Sequence, residues 1–247
     1  MAEPTVAIVT GGASGIGFGI ARRLARDGYR VAILDIGGYE EAAADIVVEG
    51  GWALGFGADV TNRDHLGYIY GQIREKLGPI AIVVTSAGID SHAPFLETSA
   101  EAWDRVIAVN LTGTFHAVQL ALPDMVGAGW GRIITIAATS GQTGGPMRAG
   151  DAAAKAGVIG LTKTLALEYA RSGITANAIA PTITATPMSD RAQERGELPP
   201  YEEAAAAIPV GRVGTPDDMA AVCSFLCRDE ASFITGQQLN ANGGGYL

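Results

Sequence analysis

The residues with the clearest chemical consequence lie near the N-terminus. Residues 10–17 read Thr-Gly-Gly-Ala-Ser-Gly-Ile-Gly, between an apolar β run at 5–10 and a segment of helical periodicity at 16–27. Glycines at these spacings let the backbone turn tightly and approach a phosphate, while the free N–H groups opening the helix favour negative charge. Strand, glycine turn and helix in that order form a pyrophosphate cradle. Asp35 closes the next strand, eighteen residues beyond Gly17. A carboxylate there can bond both ribose hydroxyls of an adenosine and repels a 2′-phosphate. No Arg or Lys stands in the glycine loop or directly after Asp35, so the residues predict NAD, with NADP the lesser choice.

Holding such a site requires strands that alternate with helices, and the chain supplies them. Strand-like runs fall at 5–10, 30–35, before Asp59, and at 80–85, 132–136, 175–179 and 237–240. Helical periodicity covers 16–27, 40–49, 63–77, 102–126 and 152–171. A last helix opens at Pro216, with Thr215 as its N-cap. Between 182 and 210 periodicity fades while Pro, Thr and Ala accumulate, which predicts a substrate lid or small helical insertion. No linker or repeat divides the chain. One α/β domain over residues 1–247 is expected, a doubly wound parallel sheet with helices on both faces.

Composition narrows the function classes. Apolar residues make up 48% against 17% charged, enough for a sizeable core, and the net charge of −9 opposes nucleic acid and anionic membranes as partners. No apolar run approaches membrane-spanning length and residues 1–4 carry no basic leader, so a cytoplasmic location is expected. Cys223 and Cys227 stand one helical turn apart without a nearby His, which reads as two neighbours on a buried face and not a metal site. His65 is expected to be solvated at a helix start, and His116 to pack along the long helix.

With the Thr-Gly-x-x-x-Gly-Ile-Gly pattern at 10–17 stand Asp59-Val60, Ala87-Gly88, Asn110 and Lys155-Ala156-Gly157. Ile234-Thr235-Gly236-Gln237 and Asn242-Gly243-Gly244 follow near the C-terminus. In these the chain resembles, from end to end, the short-chain dehydrogenase/reductases, and most closely their ketoacyl reductase-type branch. The resemblance implies a Rossmann-type fold, a nicotinamide cofactor, oxidoreduction of a small alcohol or ketone, and a homotetramer built through the long helices. It also implies that Gly11, Ser14, Ile16 and Gly17 cradle the pyrophosphate, that Asp35 holds the adenosine ribose, and that Asp59 and Val60 hold the adenine. Ala87 and Gly88 would flank the cofactor, Lys155 would bond the nicotinamide ribose, and Pro181, Ile183 and Thr186 would lie along the nicotinamide amide. Asn110 would contribute to a proton-relay water. Thr182 and Ser86 depart from the pattern in small ways, where it has Gly and Asn.

Two departures reach the chemistry. The family's catalytic tyrosine sits four residues before the lysine, and that position is Asp151. Its catalytic serine, thirteen residues further upstream in this branch, falls on Ala138. An aspartate is ordinarily a carboxylate at neutral pH, the more so beside Lys155, and cannot donate the proton that a developing alkoxide needs. Three readings follow. Other groups could take over, with His92, Thr139 and Ser140 the candidates beside the substrate and Asp90 and Ser91 in the same loop as His92. An imine substrate would bring its own proton and use Asp151 as a counter-charge. Or the pair is silenced and the chain only binds dinucleotide, Asp151 making a plain salt bridge to Lys155. An acyl-carrier-protein partner is not expected, because residues 127–131 offer no basic docking surface.

Overall fold

The computed structural model describes residues 5–247; residues 1–4, read above as lacking a basic leader, lie outside the described residues. Alternation of apolar runs becomes β1 (Val6–Thr10), α1 (Gly15–Arg26), β2 (Arg30–Asp35), α2 (Tyr39–Val48), β3 (Trp52–Gly57), α3 (Arg63–Leu77) and β4 (Ile80–Thr85). The second half continues with α4 (Ala100–Ile107), α5 (Gly113–Ala128), β5 (Gly131–Ile136), α6 (Ser140–Thr143), α7 (Ala149–Tyr169) and β6 (Ile174–Ile179). It ends with α8 (Pro187–Glu194), α9 (Tyr201–Ala206), α10 (Pro216–Leu226) and β7 (Gln238–Leu239). All seven strands are parallel, in the order β3-β2-β1-β4-β5-β6-β7.

The central strands are buried on both faces, so their residues divide by parity between two cores. Ala7, Val9, Val31, Ile33, Ile82 and Val84 meet α1, α2 and α10, whereas Val6, Ile8, Ala32, Leu34 and Val83 meet α3 and α5. Cys223 and Cys227 are unpaired thiols packed in the first of these cores. The strand order reverses between β1 and β4, and helices leave the sheet there on opposite faces. That opens a crevice at the carboxyl ends of these strands.

Local features refine the sequence reading. The long helix expected over 102–126 is two α-helices joined by a π-helical turn, Ala108–Thr112. Together they span Ala100–Ala128, which in length and composition suffices to cross a membrane, contrary to the expectation of no such run. Ala117, Val118, Ala121 and Met125 of that helix pack into the second core. The 182–210 segment holds two short helices, α8 and α9. At α10 the expected cap is present as a reciprocal box: Asp218 N–H donates to Thr215 Oγ1 at 3.3 Å, and Thr215 N–H donates to Asp218 Oδ2 at 2.8 Å.

Candidate active site

One cleft of about 860 Å³ runs along the carboxyl ends of β1, β2, β4 and β5. Its floor is the glycine turn. Gly11 adopts φ 64°, and a Cβ on it would stand 2.7 Å from the Ala87 backbone. Ser14 caps α1 without making a capping hydrogen bond, so its hydroxyl and the opening N–H groups of the helix remain free for an anion. Gly11, Ser14, Ile16, Asp35, Asp59, Val60, Ala87 and Gly88 all line this cleft. Gly17 does not. A Cβ there would fall 2.1 Å from Gly11 O, so its part is to let α1 press against the turn. The backbone approach, the free helix N-terminus and the carboxylate beyond β2 together fit a dinucleotide.

Where β2 ends, Asp35 Oδ2 accepts from Ala13 N–H at 3.1 Å and Oδ1 from Ile36 N–H at 2.8 Å. These bonds fix the carboxylate at the strand end. Asp59 Oδ1 accepts from both the N–H and the hydroxyl of Thr61. Asp35 and Asp59 are the charged residues that line this end.

The opposite end is built on Asn110. The π-helical turn re-aims its amide toward the loop after β4, a use such turns often serve. Asn110 Oδ1 accepts from Ile89 N–H at 2.9 Å, and Nδ2 donates to Ile89 O at 2.9 Å and to Asp151 Oδ1 at 3.2 Å. Ser140 Oγ donates to Asp151 Oδ2 at 3.1 Å. The carboxylate at the altered position is thereby held at both oxygens, at a cleft-lining residue only 8% exposed.

Lys155 lies one turn further along α7 and does not pair with Asp151. Its Nζ donates to Ile136 O at 2.8 Å, so the salt bridge considered above is replaced by a bond to the end of β5. Burial pushes the Lys155 ammonium below its ordinary range, offset in part by the charges of Asp151 and Asp90.

Ala138, Thr139, Ser140, Pro181, Ile183 and Thr186 line the same cleft. Thr139 Oγ1 is spent on Pro181 O at 3.1 Å, while Thr186 caps α8 through Ser189. His92 is a correction: it does not line the cleft, although Asp90 two residues earlier does. The loop turns between them, where Ala93 N–H bonds Met147 O. His116 Nδ1 lies 3.0 Å from Val60 O, and His65 is exposed.

Arg105, Arg148 and Arg191 also line the cleft and were missed. They lie on α4, before α7 and on α8, and no spacing along the sequence links them.

The family described as enoyl-(acyl carrier protein) reductase matches residues 11–245. The 3-oxoacyl-(acyl-carrier-protein) reductase FabG of Staphylococcus aureus is 37% identical over 244 residues, covering 98% of each chain. The D-beta-hydroxybutyrate dehydrogenase of Cupriavidus necator is 37% identical over 256 residues, covering 99% of this chain and 98% of that one. Among solved structures, a variant of the actinorhodin polyketide ketoreductase with NADPH superimposes with a TM-score of 0.95 at 35% identity, covering 99% of this chain and 98% of that one.

Proposed function

The chain belongs to the short-chain dehydrogenase/reductase family and is an oxidoreductase of that type; from this membership we propose an NAD(H)-dependent enzyme for a small alcohol or ketone whose acid–base pair is replaced. The observation that carries the reading is the carboxylate of Asp151, hydrogen-bonded by Asn110 and Ser140 where the family has a phenol. Gly11, Ser14 and Ile16 would hold the pyrophosphate, Asp35 the adenosine ribose, Asp59 and Val60 the adenine, and Lys155 the nicotinamide ribose. Bound there, the nicotinamide supplies or accepts the hydride. Asp151 can accept a proton from a substrate alcohol, directly or through Ser140 Oγ, and ketone reduction would run the same transfer backwards; without the phenol both directions are slowed.

The solved relative carries NADPH, which points the other way on the cofactor. Our choice of NAD rests on Asp35: with Asp59 it makes the adenosine end acidic, and a 2′-phosphate would meet carboxylates there without a basic partner. A homotetramer through α4–α5 and α7 is part of the proposal, supported by exposed Trp103, Phe115 and Leu167 on those helices.

A second reading, an imine reductase, is favoured by one observation. Asp151 faces the cleft without Lys155 as partner, so its charge is available to an iminium, which needs no proton from the protein. A panel of alcohols, ketones and cyclic imines, run with NADH and with NADPH, separates these readings. Turnover of alcohols and ketones supports the first, and turnover confined to imines supports the second. Binding without any turnover would leave a dinucleotide-binding protein. NADH should bind at least about tenfold more tightly than NADPH, about 1.4 kcal/mol, and Asp35→Ala should narrow that gap.

A further inference from the structure

Asp35 and Asp59 line the cleft where β2 and β3 end, while its arginines, Arg105, Arg148 and Arg191, come from α4, the approach to α7, and α8, alongside Asp90 and Asp151.

Of these two carboxylates, Asp90 pairs with Arg148 Nη1 through Oδ2 and keeps Oδ1 buried without a partner, and Asp151 accepts only from the neutral Asn110 and Ser140. On the lid, Asp190 accepts from the Tyr201 hydroxyl and Glu197 pairs with Arg195. The guanidiniums of Arg105 and Arg191 donate to no group among the described residues, and Arg148 Nη2 is buried without a hydrogen-bond partner. Arg148 is also held in place. Met147 before it takes φ 63°, a left-handed conformation uncommon outside glycine, and its carbonyl accepts from Ala93 N–H at 2.9 Å.

Resting on the oxidoreductase reading above, we infer that the substrate carries a carboxylate, received at the mouth of the cleft by Arg105, Arg148 and Arg191. A guanidinium presents paired N–H donors whose spacing matches the two oxygens of a carboxylate. The substrate is short, because a cleft of about 860 Å³ must take a dinucleotide as well. Met188 and Leu198, which line the same cleft, supply an apolar wall for its carbon chain.

The test is a titration that needs no turnover. The NADH-loaded protein is titrated calorimetrically with 3-oxobutanoate, its methyl ester and 3-oxobutanoyl-CoA, and the nucleotide-free protein in parallel. The acid should bind at least about tenfold more tightly than the ester, the scale of a charge-assisted hydrogen bond. In the R105Q/R191Q double variant that preference should fall below about twofold, with NADH affinity and melting temperature unchanged because both residues are exposed and their side chains donate no hydrogen bond among the described residues. Arg105→Lys and Arg191→Lys should keep part of it. Equal binding of acid and ester, no binding of any probe, or an undiminished preference in the double variant would overturn the inference. Tighter binding of the CoA thioester than of the acid would overturn it in favour of a phosphate-bearing carrier. Failure of NADH itself to bind would instead sink the oxidoreductase reading, while the nucleotide-free titration still reports on the arginines.

Discussion

Restoring the family's pair, Asp151→Tyr with Ala138→Ser, tests whether the altered residues limit carbonyl reduction. Asp151 stands on α7 one turn before Lys155, and both positions line the cleft. The short carboxylate makes no ion pair with Lys155 Nζ, which bonds Ile136 O instead. A tyrosine from the same Cβ reaches several ångströms further and would bring an ionisable hydroxyl under the influence of that ammonium. General acid–base catalysis typically supplies about 10²- to 10⁴-fold, or about 3–5 kcal/mol of barrier at 1.36 kcal/mol per decade. The substitution also removes the acceptor for Ser140 Oγ and for one of the two bonds of Asn110 Nδ2, costing about 1 kcal/mol of stability each. Neither loss approaches the catalytic gain. Loss of NADH absorbance over a ketone panel is the assay, with the single variants recovering less than the double, since residues that act as a unit are not additive. A double variant that folds, binds NADH and shows no gain on any ketone would refute the reasoning.

Gly17→Ala should weaken NADH binding and destabilise the protein by about 1–3 kcal/mol, as overpacking does, because its Cβ would meet Gly11 O at 2.1 Å. Unchanged denaturant midpoint and NADH affinity would remove Gly17 from the turn's support. Lys155 gives a pH test on the nucleotide-free protein, since its folded pKa lies below the unfolded value of 10.5. Below the folded pKa both states hold the proton and the full penalty of the buried charge is present; between the two values the unfolded chain binds more protons, so stability rises with pH. The stability of the parent relative to Lys155→Met should therefore climb as pH rises toward the unfolded value, and a flat difference in urea unfolding would contradict the burial argument. Thr215→Ala opens the capping box of α10 and should cost about 1 kcal/mol in the same assay. A loss below a few tenths would mean that Asp218 alone caps the helix.

The alternation of apolar runs, the glycine turn, Asp35 at the end of β2 and the Thr215 cap were legible in the sequence, because each depends on neighbours within a few residues. Apolar residues buried on both faces of parallel strands leave little choice but a doubly wound sheet. The crevice at the reversal of strand order follows from that topology. The positions of Asp151 and Ala138 were readable through the family resemblance, which implies its tyrosine four residues before Lys155 and its serine thirteen residues further upstream. Tertiary structure decided the rest. The π-helical turn lies where the chain passes from α4, packed on α7, to α5, packed on β4 and β5, and no local propensity around Ala108–Thr112 announces it. It is that turn which lets Asn110 reach both Ile89 and Asp151. His92 leaves the cleft because the loop after β4 is tied back to Met147, a partner more than fifty residues away. Lys155 prefers the carbonyl of Ile136 to the carboxylate one turn behind it because β5 ends beneath α7. Arg105, Arg148 and Arg191 line one cleft only once three elements far apart in sequence fold together; their charges are plain in the sequence, but their shared cleft is a property of packing.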